Sequence, residues 1–334
     1  MTAPVLLALL LASKPDVFVV PSARQQQGMG SSVAVRVGEP ARLSVVVADE
    51  AGCWSGEAGA VFRGHRCGEF PRAVQQSTRW VIATPVAGDY DNTRRCTPEQ
   101  IAKGCHEPIR YDLAELEQLR GAVRVDVREV PRLAAPGTHR IAVRVVWHGR
   151  ELASPGPTDA SEGDALVPAM LEIVVRRDDT YVGYLTELLG VPFVLGPRRL
   201  PGVGHQTDQR LGADCVALVV YGRRRLGEPL GYVAPSVLKE WTTLVGSADS
   251  LVALNGQVAD IGRVQTGDIL HFGFQSAVLS KDNPPVGQLD ENDVIIHTFH
   301  GVAEEVRLRQ LPYRHHAVEV RRWPSMSKGA TARP

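Results

Sequence analysis

Cys215 is the residue whose type and position could support covalent chemistry. Residues 213–227 read ADCVALVVYGRRRLG, with apolar residues at helical spacing, a basic last turn and a closing glycine. This pattern predicts a helix that begins at or beside Cys215. Unpaired N–H groups at a helix N-terminus favour a thiolate and can stabilise an oxyanion, and the nucleophile then needs a base, usually a histidine. The alternative is a small buried cysteine with no chemical role.

A small sheet is predicted after this helix, and another helical pattern precedes it at residues 181–189. His271 and Gln275 are four residues apart, so on one strand their side chains would face the same side. This half of the chain is therefore predicted to be α+β. Apolar runs predict strands over residues 264–272, 275–279, 294–299, 302–308 and 317–323.

Three segments together resemble the NlpC-type cysteine peptidases, papain-like enzymes, mostly bacterial, that cleave peptide bonds in cell-wall peptidoglycan. They are LGVPFVLG at 189–196, ADCVALV at 213–219 and VQTGDILHF at 264–272. The resemblance covers about residues 180–323. It implies a papain-like fold for this half and a cell-wall peptide, or a related amide, as the substrate.

The resemblance also implies roles for individual residues. Cys215 matches the nucleophile, and Asp214 matches the acidic residue before it. Gly267 and Asp268 match the turn that opens the sheet, and His297 matches the third polar member, which orients the catalytic histidine in the family. The resemblance implies neither a cofactor nor a metal.

Gln275 stands where the family has its general-base histidine. Glutamine has no titratable nitrogen and cannot accept the thiol proton. Either His297 or His271 then acts as the base of a cysteine hydrolase, or the site has lost its peptidase activity and the domain binds a peptide, glycan or protein partner. Two further departures are Val216-Ala217 for the family's Ser-Gly and Phe193 for its tyrosine.

The first half of the chain has a different pattern. Short β-branched or alternating runs bounded by glycine and proline predict an antiparallel β-sandwich over residues 16–176, with one short helix at 113–119 and a polar loop at 155–163. Glycan or protein partners could be contacted through this sandwich. The predicted strands lie at 32–37, 42–47, 79–84, 122–127, 139–146 and 170–175.

Four of the five cysteines lie in this half, at positions 53, 67, 96 and 105. Two local disulfides, Cys53–Cys67 and Cys96–Cys105, would leave Cys215 free, although the sequence leaves the other pairings open. A zinc site is the rival interpretation, but no C-x-x-C spacing is present. Two disulfides favour an oxidising compartment.

The ends of the chain and its composition complete the prediction. Residues 5–12 form a short apolar run typical of a secretory signal, although no Lys or Arg precedes it and a buried strand would fit the same letters. The predicted division is a signal segment at 1–15, the sandwich at 16–176, the NlpC-type domain at 177–323 and a disordered tail at 324–334, in a secreted or periplasmic protein.

Charge and hydropathy exclude two classes of function. Lys and Arg total 37, Asp and Glu total 37, and the formal net charge of the 334 residues is zero. A general nucleic-acid binder would show a basic excess. No apolar run reaches the roughly 18 residues that a membrane-spanning helix needs.

Overall fold

A computed structural model describes residues 16–325 apart from 24–25, 28–31, 58, 89, 98, 101–104, 156–169, 201 and 203. The predicted signal segment, nearly all of the predicted tail and most of the loop at 155–163 lie outside the described residues. None of the helices in the described part of the chain is long and apolar enough to cross a membrane.

The described residues of the first half are mainly in strands, with short helices and 3-10 turns between them. The strands are β1 (Asp16–Ala23), β2 (Gln26–Gln27), β3 (Ser32–Arg36), β4 (Ala41–Asp49), β5 (Gly52–Ser55), β6 (Val61–Phe62), β7 (His65–Arg66), β8 (Gly68–Glu69), β9 (Arg79–Pro85), β10 (Tyr90–Asp91), β11 (Tyr111–Glu115), β12 (Arg124–Asp126), β13 (Gly137–Trp147), β14 (Arg150–Ala153) and β15 (Leu171–Arg176). The helices are α1 (Arg72–Ser77), α2 (Asn92–Arg95) and α3 (Pro131–Ala134), and the 3-10 turns are Glu117–Leu119 and Val127–Glu129.

These strands form two main sheets. One has the order β2-β1-β4-β5-β8, with β12 also paired to β4, and the other has the order β11-β9-β13-β15-β3, with β14 paired to β13. The prediction of a β-rich domain is confirmed, but the sheets are not wholly antiparallel. Two pairs are parallel: β3 with β15, and β5 with β8. β3 and its partner β15 are far apart in the sequence. The chain between them is therefore long enough for the crossover that a parallel pair needs.

The two sheets bury one common core. Alternate residues of β4, namely Leu43, Val45 and Val47, are fully buried and belong to the same apolar cluster as Ile141 and Val143 of β13. Alternation of this kind is expected for strands with one face toward a core. The hydrophobic pattern that predicted the strands therefore has its cause in this shared core.

One predicted element of this half is wrong. Residues 113–119 do not form a helix: residues 111–115 form β11, and only Glu117–Leu119 make a 3-10 turn. β11 pairs antiparallel with β9, with Leu113 opposite Ala83, and the Leu113 side chain is exposed. Pairing along the free edge of the sheet satisfies these backbone groups, which a helix of one or two turns would do less well.

The cysteines pair locally. Cys53–Cys67 and Cys96–Cys105 are disulfides, which confirms the predicted local pairs and leaves Cys215 as a free, buried thiol. Cys96, the first cysteine of the second disulfide, directly follows α2. This position matters because α2 contacts the second half of the chain.

The second half begins with helices and continues into a sheet. Its helices are α4 (Tyr181–Leu185), α5 (Cys215–Arg225) and α6 (Pro235–Trp241), with 3-10 turns at Thr186–Leu188 and Leu308–Gln310. Its strands are β16 (Val194–Leu195), β17 (Arg199–Leu200), β18 (Gly204–His205), β19 (Thr243–Ala248), β20 (Ile269–His271), β21 (Ser276–Lys281), β22 (Val294–His297), β23 (Glu304–Arg307) and β24 (Val318–Arg322).

Six of these strands form an antiparallel sheet in the order β19-β24-β20-β21-β22-β23. α5 packs on one face of it, where Leu218 and Val219 join Ile269, Val278 and Ile296 in one core. The opposite face buries a second core around Leu270, Leu279 and Ile295, under the turns at 251–264 and 308–316. The sheet thus holds the N-terminus of α5 against the start of β21.

Direct contacts join the two halves. β10 pairs in parallel with β16. The carboxylate of Glu172, on β15, accepts a hydrogen bond from Arg140 at 2.8 Å and another from Arg210 Nε at 2.9 Å. These groups are largely buried, so the seam between the halves contains a desolvated ion network.

Candidate functional site

Cys215 is the first residue of α5, and Asp214 caps the helix. One Asp214 carboxylate oxygen accepts the Ala217 N–H at 2.8 Å. The extended backbone of Asp214 and its short acidic side chain are typical of a helix N-cap. The prediction that Cys215 stands at a helix N-terminus is confirmed by this geometry.

The Cys215 thiol is not activated in this position. Burial raises its pKa to about 12, and the neighbouring Asp214 carboxylate adds to the effect. The N–H groups of Ser276 and Val216 point to the sulfur and act in the opposite direction, but they do not offset the burial. Only 6% of the residue is exposed. Desolvation therefore outweighs the helix terminus that led us to expect a thiolate.

Gln275 lies immediately before β21, next to Ser276, whose backbone N–H faces the thiol. Its side chain is 2% exposed, and its Nε2 donates to the Thr298 carbonyl at 2.8 Å. The amide also hydrogen-bonds the phenol of Tyr313 and favours the ionised form of that group. Gln275 is thus a fixed, satisfied polar side chain beside the sulfur.

His297 is the last residue of β22 and is 3% exposed. Its Nδ1 lies 3.1 Å from the Tyr313 hydroxyl. Its Nε2 lies 3.5 Å from Glu304 Oε1 and has no hydrogen-bond partner in the described part of the chain. Burial lowers the pKa of His297 to about 4, so the ring is neutral near pH 7.

Tyr313 is the centre of this group, and no sequence pattern predicted its part in it. The hydroxyl approaches His297 and Gln275, and the Cys215 sulfur is close enough to help raise the tyrosine pKa, although burial is the larger cause. Tyr313 comes from the loop between β23 and β24, where neither spacing nor a motif links it to the cysteine. The structure therefore brings Cys215, Gln275 and His297 together around a tyrosine.

His271 occupies a different place. A turn over residues 272–275, closed by the Phe272 N–H to the Gln275 carbonyl, separates it from Gln275. The two residues therefore do not share a strand, and the expectation that they face the same side is wrong. His271 Nδ1 lies 3.0 Å from Ser276 Oγ, and burial and the Lys239 charge lower the pKa of His271.

Asp268 has a structural role at the opening of the sheet. Its carboxylate accepts from Arg322 at 2.7 and 2.8 Å and from the Gln265 amide at 2.9 Å. Gly267 has a positive φ of 95°, which glycine adopts without strain. These contacts fix the start of β20 and lie away from the thiol.

The described residues contain no group of three or more His, Cys, Asp and Glu side chains placed to hold a metal ion. Aromatic rings surround the tyrosine instead. Phe274, which is 53% exposed, meets the edges of Tyr313 and His316. An exposed aromatic edge thus borders the buried polar group.

Comparisons of the chain with protein-family models, with curated proteins and with solved structures find no match.

Proposed function

We propose that residues 177–323 form an NlpC-type papain-like domain that binds a peptide of the cell-wall class without cleaving it. The order of its elements supports this fold: a cysteine at the start of α5, the Gly267-Asp268 turn, and the antiparallel strands that carry Gln275 and His297. The observation that carries the loss of cleavage is Gln275, which occupies the position of the base and donates its amide to Thr298.

The acid–base energetics support the same proposal. Burial raises the pKa of the Cys215 thiol to about 12 and lowers that of the His297 imidazole to about 4, so desolvation opposes transfer of a proton from Cys215 to His297. Efficient general-base catalysis needs a base whose pKa lies near the working pH. Burial therefore favours the neutral pair over the thiolate–imidazolium pair on which cysteine peptidases depend.

The surface beside Gln275 suits a peptide ligand. Phe274 is exposed next to Gln275, and its ring meets His316 edge-on, with ring centroids 5.1 Å apart. Exposed aromatic side chains supply contact area at low entropic cost and are enriched in binding surfaces. A peptide that crosses this edge would approach the position where the family's substrates meet the cysteine.

A cysteine hydrolase remains a second candidate, because His297 and Cys215 both lie beside Tyr313. In that case the Tyr313 hydroxyl would pass the proton between sulfur and imidazole. Cys215 would attack the carbonyl of an amide or peptide bond, and the N-terminal N–H groups of α5 would hold the oxyanion.

The deciding experiment is the pH dependence of Cys215 alkylation, followed by mass spectrometry. The other four cysteines are in disulfides, so Cys215 is the thiol that reacts without a reductant. The binding proposal predicts labelling that is slow at pH 8, still rising at pH 10 and unchanged in His297→Ala. Fast labelling below pH 8 that His297→Ala slows would establish the hydrolase instead.

Binding is tested in parallel with soluble cell-wall peptide fragments. We expect wild-type and Cys215→Ala chains to retain the fragments equally and release no new amino terminus, whereas Phe274→Ala weakens retention. Gln275→His supplies the missing imidazole and should lower the pH at which labelling rises. Absence of binding by the wild-type chain, or release of cleaved fragments, would refute the proposal.

A further inference from the structure

The loop that leads into the Cys215 helix is held on one side by the N-terminal half of the chain. In the parallel β10–β16 pair, Tyr90 lies opposite Val194. On the other side of this short strand, the Val194 N–H donates to the Ala213 carbonyl at 3.1 Å. Ala213 is followed by the cap residue and the thiol, so main-chain pairing connects residues 90–91 to Cys215.

Asn92 strengthens this connection. It is fully buried, and its Nδ2 donates to Gln206 Oε1 at 2.7 Å and to the Gly196 carbonyl at 3.1 Å. Its Oδ1 accepts the Glu107 N–H at 2.8 Å. A buried amide that is satisfied from both halves fixes their relative positions, because breaking any of these bonds leaves an unpaired polar group in a desolvated place.

At Gly196 the loop of the second half packs directly against α2 of the first half. Gly196 has a positive φ of 65°, and a Cβ at this position would lie 2.8 Å from Thr93 Cγ2 of α2. The Gly196 N–H points to the Asp214 carboxylate and favours its ionised form. Gly196 therefore contacts α2 on one side and the cap of the Cys215 helix on the other.

The Cys96–Cys105 disulfide holds the other end of α2. Cys96 is the residue after the helix, and Glu107, two residues beyond Cys105, contacts Asn92 through its N–H and Arg95 through an ion pair of 2.9 Å. The disulfide thus keeps both chain segments beside Asn92. The Cys53–Cys67 disulfide lies elsewhere, packed with Val46 and Phe62.

We infer that residues 90–96 and 105–107, joined by the Cys96–Cys105 disulfide, form a positioning element for the Cys215 site. It holds the loop at 194–198 against Ala213 and Asp214, the two residues before the thiol, and so controls how often the thiol becomes accessible. Asn92 and Thr93 are its positioning residues. The inference concerns access to the thiol and does not depend on whether the domain binds or cleaves.

Burial explains why this control would be measurable. In the closed site the thiol pKa is about 12, whereas a thiol exposed by local opening would titrate near its unperturbed value of about 8.5. A looser loop should therefore raise the alkylation rate and move its pH midpoint downward. Loss of a distant contact should do neither.

The first test uses Gly196→Ala, whose new methyl group meets Thr93. We expect alkylation of Cys215 by iodoacetamide at pH 8 to become at least ten times faster, with the pH midpoint moved toward 8.5. The double variant Thr93→Ser/Gly196→Ala removes only the clashing Cγ2 and keeps the hydroxyl that bonds Asp91. It should return the rate part of the way toward that of wild type, because the positive φ of residue 196 still strains an alanine, and Thr93→Ser alone should match wild type.

The second test compares the two disulfides. Cys96→Ser/Cys105→Ser should accelerate the alkylation of Cys215, whereas Cys53→Ser/Cys67→Ser should not. Each rate is measured from 0 to 2 M urea, because global unfolding would make the rate rise steeply with urea and a local opening would not.

Two results would overturn the inference. One is a folded Gly196→Ala chain whose labelling rate equals that of wild type or is not lowered by adding Thr93→Ser. The other is an equal acceleration from both disulfide pairs, which would assign the effect to general destabilisation. Both results leave the peptide-binding measurements unaffected, so the two proposals fail separately.

Discussion

Burial acts in opposite directions on the two titratable residues beside Tyr313, and both stay neutral as a result. It raises the pKa of the Cys215 thiol and lowers the pKa of the His297 imidazole. In an active cysteine site the two groups stabilise each other as an ion pair, which requires direct contact. Here the His297 Nδ1 lies 3.1 Å from the Tyr313 hydroxyl, a neutral partner, so the imidazole keeps the protonation state that a desolvated place favours.

Because His297 is neutral in the folded chain, we expect the free energy of unfolding to depend on pH in the acid range. The pKa of His297 is about 4 in the folded chain and about 6.5 when unfolded, so below pH 6.5 the unfolded state takes up a proton that the folded state refuses. The free energy of unfolding should fall as the pH is lowered from 6.5 to 4, by about 3 kcal/mol from this residue. His297→Gln should remove that part of the decline in urea titrations at pH 7, 5.5 and 4. Parallel declines in the variant and the wild-type chain would contradict the assignment.

At the scale of elements, α5 combines a strong cap with a charge that works against the thiolate. Asp214→Asn keeps a capping side chain and removes the charge, so it should lower the Cys215 pKa and leave the urea midpoint nearly unchanged. Asp214→Ala removes both, and should cost about 1 kcal/mol of stability as well. Alkylation profiles and urea titrations of the two variants check this. A thiol pKa that is equal in wild type and Asp214→Asn would show that burial acts alone.

The local hydrophobic pattern was enough to predict α5, because the helical spacing of its apolar residues places them in a common core. It was not enough for α6 or β19, whose residues give no extended periodicity. It misassigned 113–119, because edge pairing with β9 decides that segment. The candidate site was predictable as far as Cys215, Asp214, Gln275 and His297. Tyr313 lies 98 positions from the cysteine, and only the folded sheet brings them together.

At the scale of the whole molecule, we expect the buried ion network between the two halves to contribute to stability. Glu172→Ala would leave Arg140 and Arg210 without their carboxylate at the seam, and should cost 3 kcal/mol or more, roughly the loss expected for a broken buried pair. The matched control is Lys239→Ala, which breaks a half-exposed pair with Glu319 and should cost about 1 kcal/mol or less.

Urea unfolding followed by tryptophan fluorescence measures both variants. Trp80 and Trp147 report on the first half, and Trp241 and Trp323 on the second. We expect one transition for the wild-type chain because the halves share main-chain pairing and buried charges. Two separate wild-type transitions, or equal losses from both variants, would show that the seam contributes little.

The parallel pairing of β3 with β15 has a consequence for how the chain is made. β3 lies at the edge of its sheet, beside β15, and about 135 residues separate the end of the first strand from the start of the second. At roughly 5 to 20 residues per second, a ribosome needs roughly 7 to 27 s to supply the partner. During that interval Val33 and Val35, which end fully buried, have no strand to pair with. This early edge strand is thus among the last to be placed, and until then it is exposed to wrong pairing or to capture by a chaperone.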